Sequence, residues 1–209
     1  MTRAGHWIAG LAGWRGLLFA FAAGAVSAAG FAPLEFFPAL LLGYAALVLA
    51  LDGAHAAPRR TLRAFGLGWA FYFGQFLTGW HWIVYAFLIY PDVNLWQVPF
   101  ASLLPAGVAL FGGLACAMAM IFWQAGPGRI FVFTVMMALS EWLRGHLFTG
   151  FPWNLSAYGW GASLALLQSA SLMGAYGLSF LTILLGAACA ELASRRWHVP
   201  AALLLLFAV

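Results

Sequence analysis

Charged side chains are scarce in this sequence, yet Glu141 and Arg144 stand three residues apart. On a helix that spacing puts both on one face, where they can form an ion pair. Near a membrane such a pair avoids the cost of two isolated charges. The stretch Glu141 to His146 is followed by Thr149 to Asn154, in which Gly150 and Pro152 break a helix and turn the chain. Phe151, Trp153, Tyr158 and Trp160 suit headgroup depth, with one part apolar and one part wet. Spacing leaves two readings open. One is an aromatic belt steadied by the Glu141–Arg144 pair. The other is a portal that admits a lipid tail sideways and holds its headgroup near Arg144, with Phe151, Pro152 and Trp153 in contact.

The remaining reactive residue types offer less. Cys116 and Cys189 lie deep in apolar runs without a histidine or acid at metal-ligand spacing, and read as small buried hydrophobes. No metal site, cofactor site or catalytic residue is assigned on the pattern. Gln75 and His81 interrupt a long apolar run ending at Tyr90, which places His81 about 14 Å below that end if the run is one helix. An ionisable residue at such depth is a functional candidate; the plainer reading is a neutral histidine hydrogen-bonded to a neighbouring helix. Trp80 and Trp82 flank it, to line an acyl-chain groove or simply to pack.

The elements that must position these residues follow from composition. The chain is 65% hydrophobic and 7% charged over 209 residues, against roughly a quarter charged in soluble domains. Too little polar surface exists to coat a globule, so the solvent is lipid. A formal charge of +4 would suit nucleic acid only if it formed a basic face, and the arginines are scattered instead, which excludes that partner. A membrane-crossing helix takes about 20 apolar residues. On that rule the chain is an all-α, polytopic transmembrane bundle of about seven segments, near 16–29, 36–51, 64–90, 99–123, 130–147, 163–190 and 197–209, the first reaching back as far as Trp7. A cleaved signal peptide after Arg3 and Arg15 is the weaker alternative to a retained first helix.

Arginine placement tests this segmentation. With the N-terminus in the cytoplasm, Arg3, Arg15, Arg59, Arg60, Arg63, Arg129, Arg195 and Arg196 all fall on the cytoplasmic side and only Arg144 opposes them. The last segment, from Trp197, spans about 20 Å of helix, short of a hydrocarbon core of roughly 30 Å. A truncation at Val209 is therefore expected, with more chain to follow on the periplasmic side. Stripes of small residues, Ala70-Gly74-Thr78 and Gly186-Ala190, predict close helix packing. No repeat or linker divides the chain.

Glu141-Trp-Leu-Arg-Gly145 followed by Phe148-Thr-Gly-Phe-Pro-Trp-Asn154 resembles the signature of the apolipoprotein N-acyltransferases. Gly30 to Pro33, Gly79-Trp80, Gln168 and Gly174 to Phe180 agree in order and spacing, so the resemblance covers essentially the whole chain. His146 stands where an aromatic is expected, and Ala157 where glycine is common. The resemblance implies transfer of an acyl chain from a phospholipid to the α-amino group of the S-diacylglyceryl cysteine that begins a bacterial lipoprotein. It implies a cysteine that forms a thioester, a glutamate base and a lysine that steadies the oxyanion. All three belong to a periplasmic nitrilase-like domain between the seventh and eighth membrane helices. This chain contains no lysine, so residues 1–209 are expected to be the membrane domain alone, catalytically inactive, in the bacterial inner membrane. The implied partners are the phospholipid donor, the diacylglyceryl apolipoprotein and membrane lipids. Two alternatives from other classes are a small transporter, for which Gln75 and His81 supply too few polar groups and no repeat symmetry, and a non-catalytic lipid-binding scaffold.

Overall fold

The computed structural model describes residues 1–101 and 103–205, and among them the chain is helical, with no strand. The first half comprises α1 (Arg3–Gly10), α2 (Gly13–Ser27), α3 (Phe37–His55), α4 (Arg60–Gly79), and the short α5 (Ile83–Phe87) and α6 (Pro91–Asn94). The second half comprises α7 (Val98–Ala101), α8 (Leu103–Ile121), α9 (Gly128–His146), α10 (Leu164–Gln168), α11 (Ala170–Ala188) and α12 (His198–Leu205).

Among the described residues three helical runs are long and apolar enough to cross a membrane: Phe37–His55, Pro91–Ile121 and Ala170–Ser194. A fourth is reached if α1 and the run Gly13–Gly30, bent against each other by 119°, count as one. The expected seven are not reached on length and apolarity. α4 and α9 fall short because they carry many polar residues: Arg60, Thr61, Arg63, Gln75 and Thr78 on one, Arg129, Thr134, Ser140, Glu141 and Arg144 on the other. Several of these, including Gln75, Thr134, Glu141 and Arg144, are buried against protein. Interior helices need not be apolar all round when neighbouring helices satisfy their polar side chains.

Neighbour follows neighbour around a closed ring, α2 to α4, α8, α9, α11, α3 and back to α2. Leu40, Tyr44, Phe71, Phe133 and Met137 fill the interior, with Tyr44 6.0 Å from Phe71 and 6.2 Å from Phe133 between ring centres. The α2–α4 contact runs through two glycines. A Cβ at Gly24 would strike the Phe71 carbonyl, and one at Gly74 would strike that of Phe21. Without those side chains the backbones touch, as the Ala70-Gly74-Thr78 stripe predicts.

Three expected segments are broken. The first does not extend to Trp7, because the chain turns at Leu11–Ala12 and Arg63 donates to the Leu11 carbonyl exposed there. The third ends at Gly79 and does not reach Tyr90. As one helix, residues 64–90 would measure about 40 Å, longer than the hydrocarbon core of roughly 30 Å. The sixth is divided at Ser169 into α10 and α11, and α11 is kinked at Gly174, whose φ of 71° is a conformation glycine adopts without steric penalty. The expected end of the seventh segment at Val209 falls outside the described residues.

Candidate functional site

α9 ends at His146, and the chain then folds back over its last two turns. The return is fastened at both ends. Arg144 Nη1 donates to the carbonyls of Phe151 (2.7 Å) and Trp153 (2.6 Å), while the Phe151 amide donates to the Arg144 carbonyl (2.8 Å). One turn earlier the Glu141 carboxylate accepts from the Ser156 amide (3.1 Å) and hydroxyl (2.7 Å). Ser156 spends its proton on Glu141, so Tyr44, 2.5 Å from the same hydroxyl, is the donor of that bond. Bonds to charged partners are worth more than neutral ones, and Glu141 and Arg144 are both almost fully buried.

The expected Glu141–Arg144 ion pair is therefore not present. Among the described residues the ion pairs are Arg129–Asp52, Arg129–Glu191 and Arg196–Glu191. A shared helix face puts two side chains within reach of each other, but the loop offers each a better oriented partner. Arg144 is also not at a surface. It lies under the loop, with its guanidinium carbon 5.1 Å from the Phe76 ring centre. Its contribution to the site is to shape the loop.

The loop delivers aromatic rings to one place. Trp80 stacks on Phe76 at 4.2 Å and meets Phe151 edge-on at 4.7 Å. Phe151 stacks on Trp153 (5.1 Å), and Trp153 on Trp82 (4.6 Å). Pro152 packs beside Gly145, where an added Cβ would lie 3.5 Å from its own. The six residues expected to contact substrate, Arg144, Phe151, Pro152, Trp153, Trp80 and Trp82, thus form one cluster, although they come from separate stretches of chain. Trp80 is fully buried within it, whereas Trp82 and Trp153 are exposed.

Trp82 and Trp153 open onto a groove of about 690 Å³. Phe31, Pro33 and Glu35 from the α2–α3 connection form one wall; Asn154, Tyr158 and Gly161 form another. His81 lines it too, with Nδ1 2.7 Å from the Thr78 carbonyl. The expectation of a histidine deep inside a helix fails because α4 stops before it; His81 is exposed in the turn that follows. The 156–160 turn behind the groove is tied to α11 by Trp160 Nε1 donating to Thr182 Oγ1 (2.7 Å) and the Ala157 amide donating to Ser179 Oγ (3.0 Å).

Among the described residues no cysteine faces this groove. Cys116 is buried in α8 against α4, and Cys189 lies half-buried beyond α11, at the Arg129 end of the bundle. Among the described residues no group of three or more His, Cys, Asp or Glu is placed to hold a metal ion.

Residues 23–188 match the family described as the apolipoprotein N-acyltransferase N-terminal domain. The chain belongs to the apolipoprotein N-acyltransferase family. Apolipoprotein N-acyltransferases of Allorhizobium ampelinum and Rhodopseudomonas palustris are 43% and 41% identical to it over 192 and 197 residues. These alignments cover 89% and 90% of this chain, but only 36% and 37% of the relatives. The apolipoprotein N-acyltransferase of Rhizobium rhizogenes is 40% identical over 194 residues, with the same partial coverage. The chain thus spans a little over a third of the length of these N-acyltransferases.

A second polar cluster, not foreseen from the sequence, lies at the other end of α9. Arg129 Nε meets Asp52 (2.9 Å) and Nη1 meets Glu191 (2.6 Å), while Trp123 Nε1 donates to Asp52 (3.1 Å). Asp52 and Glu191 each sit alone in apolar sequence, so nothing local announced their shared partner. An isolated acid inside an apolar run is itself the signal, because burial demands a counter-charge.

Proposed function

We propose that this chain is the membrane domain of an apolipoprotein N-acyltransferase that moves an acyl chain from phospholipid to the N-terminal S-diacylglyceryl cysteine of bacterial lipoproteins. In this reading the chain lies in the inner membrane with its N-terminus in the cytoplasm. The cysteine, glutamate and lysine that perform the transfer come from a nitrilase-like domain following residue 209, and the 209 residues alone are inactive. The observation that carries the proposal is the groove beside Trp82, lined by Trp153 and Asn154 from the stretch that resembles the family's signature. An aromatic-rimmed groove on an apolar bundle suits a lipid with its headgroup at the interface. The topology is supported by Arg129 and Arg196 meeting at Glu191, about 22 Å along α9 from Arg144.

Cells depleted of their own N-acyltransferase provide the test. Growth with triacylated lipoproteins is expected from a version extended through a nitrilase-like domain and not from the 209 residues. Rescue by the 209 residues alone would mean the bundle holds an active site of its own. Failure of both versions, at normal expression, would remove the proposed activity.

A further inference from the structure

Of the five acidic residues in the chain, three are satisfied inside the protein: Asp52 and Glu191 by Arg129, and Glu141 by Ser156. Asp92 is exposed on α6. Glu35 is different. It is half-buried on the wall of the aromatic groove, and among the described residues its carboxylate makes neither an ion pair nor a hydrogen bond.

Its placement is specific. Glu35 holds a left-handed backbone at φ 51°, which an L-residue adopts at a cost and keeps only when its surroundings enforce it. Here its amide donates to the Phe31 carbonyl (2.9 Å) and its carbonyl accepts from the Phe37 amide (3.1 Å). The carboxylate is thereby held against Gly161, where a Cβ would lie only 2.8 Å from Oε1. A carboxylate partly withdrawn from water without a cation is unfavourable in itself. Trp82, stacked on Trp153 on one side only, and Tyr158 are exposed in the same groove and offer the electron-rich ring faces that ammonium groups prefer. His81 shares the groove but makes no ion pair with Glu35.

The surroundings favour a lipid as the source of the ammonium. Leu34 and Phe36, on either side of Glu35, are 71% and 59% exposed, which suits apolar contact with membrane and places the carboxylate where lipid headgroups lie. We propose that Glu35, with Trp82 and Tyr158, recognises the ammonium of an amine-bearing phospholipid headgroup and so selects among lipids entering the groove. This rests on reading the groove as the phospholipid site.

Binding of short-chain phosphatidylethanolamine, phosphatidylcholine and phosphatidylglycerol to the full-length protein in detergent micelles, measured by titration calorimetry, tests it. The unsubstituted protein is expected to bind the two amine lipids about tenfold more tightly than the glycerol lipid. E35Q, which keeps shape and removes charge, is expected to abolish that preference while leaving phosphatidylglycerol affinity and the melting temperature unchanged. Y158F is expected to preserve the preference, since its ring face remains. Equal affinities in the unsubstituted protein, or equal loss of all three lipids in E35Q, would overturn the proposal while leaving the groove a lipid site. No measurable binding of any lipid would overturn the groove reading itself. A Glu35-dependent affinity for an N-terminal peptide amine, without one for lipid amines, would reassign the carboxylate to the acceptor.

Discussion

Glu141 and Arg144 lie one helical turn apart and do not bind each other; they bind opposite ends of the same loop. Arg144 holds the carbonyls of Phe151 and Trp153, and Glu141 holds the amide and hydroxyl of Ser156. Opposite charges serve because the loop presents carbonyls at one end and donors at the other. The pair acts as a two-point clamp that sets where Trp153 meets the groove. Its position in the sequence and its role in the fold coincide, but through partners other than those the spacing suggests.

The clamp predicts that Arg144→Gln destabilises the protein by about 3 kcal/mol, the scale of losing one partner from a buried charged network. Arg144→Lys should recover only part of the loss, because an ammonium can reach a carbonyl but loses the planar guanidinium's contact with the Phe76 ring. Thermal unfolding in detergent reads both effects. Melting points for the two variants matching the unsubstituted protein would show that the loop is held by its aromatic packing instead.

The α2–α4 contact predicts opposite outcomes for two glycine substitutions. Gly24→Ala places a methyl against the Phe71 carbonyl and should cost about 2 kcal/mol as the helices part. Gly107 has nothing within 4 Å of an added Cβ, so Gly107→Ala should be neutral or raise stability by about 0.5 kcal/mol through helix propensity. Comparison of the two melting temperatures separates close packing from a general intolerance of side chains.

How far the sequence was legible depends on whether a feature leaves a local trace. Long apolar runs revealed α3, α8 and α11, because lipid demands them. The ends of α4 at Gly79 and of α10 at Gln168 left none, since the sequence stays apolar across both breaks. His81 was consequently placed too deep. The aromatic cluster was readable because Phe151, Pro152 and Trp153 lie together, with Trp80 and Trp82 nearby in a second stretch. Glu35 and the Asp52–Arg129–Glu191 cluster were not readable, as their neighbours come from distant parts of the chain and only the closed ring of helices brings them together.

That distant cluster makes its own prediction. Arg129→Met leaves Asp52 without a cation and the fully buried Glu191 with only the half-exposed Arg196, and should cost about 3–5 kcal/mol. Replacing all three, Asp52→Asn, Arg129→Met and Glu191→Gln, removes the stranded charges and should recover much of that loss. Arg196, half exposed and 3.5 Å from Glu191, should matter far less, with Arg196→Ala costing under about 1 kcal/mol. Chemical denaturation of the four proteins gives the ordering. A triple variant less stable than Arg129→Met would show that the hydrogen bonds to Trp123 and the Gly126 carbonyl outweigh the charges.

The last prediction concerns activity. Trp153 stacks on Trp82 at the groove and receives its backbone position from Arg144, yet among the described residues no cysteine lines that groove. A residue that contacts only bound lipid strengthens ground state and transition state alike, and its loss raises KM with kcat unchanged. Trp153→Ala in a full-length enzyme should therefore lower kcat/KM for thioester formation about tenfold, roughly 1.4 kcal/mol, chiefly through KM. Trp82→Ala should do the same, and the double variant should lose less than the product of the two, because each removes the other's stacking partner. Single-turnover acylation at varied phospholipid concentration distinguishes the cases. Unchanged thioester formation at normal expression would remove Trp153 from the lipid path. A fall confined to kcat would mean that the loop positions the catalytic domain, with the groove holding no lipid that reacts.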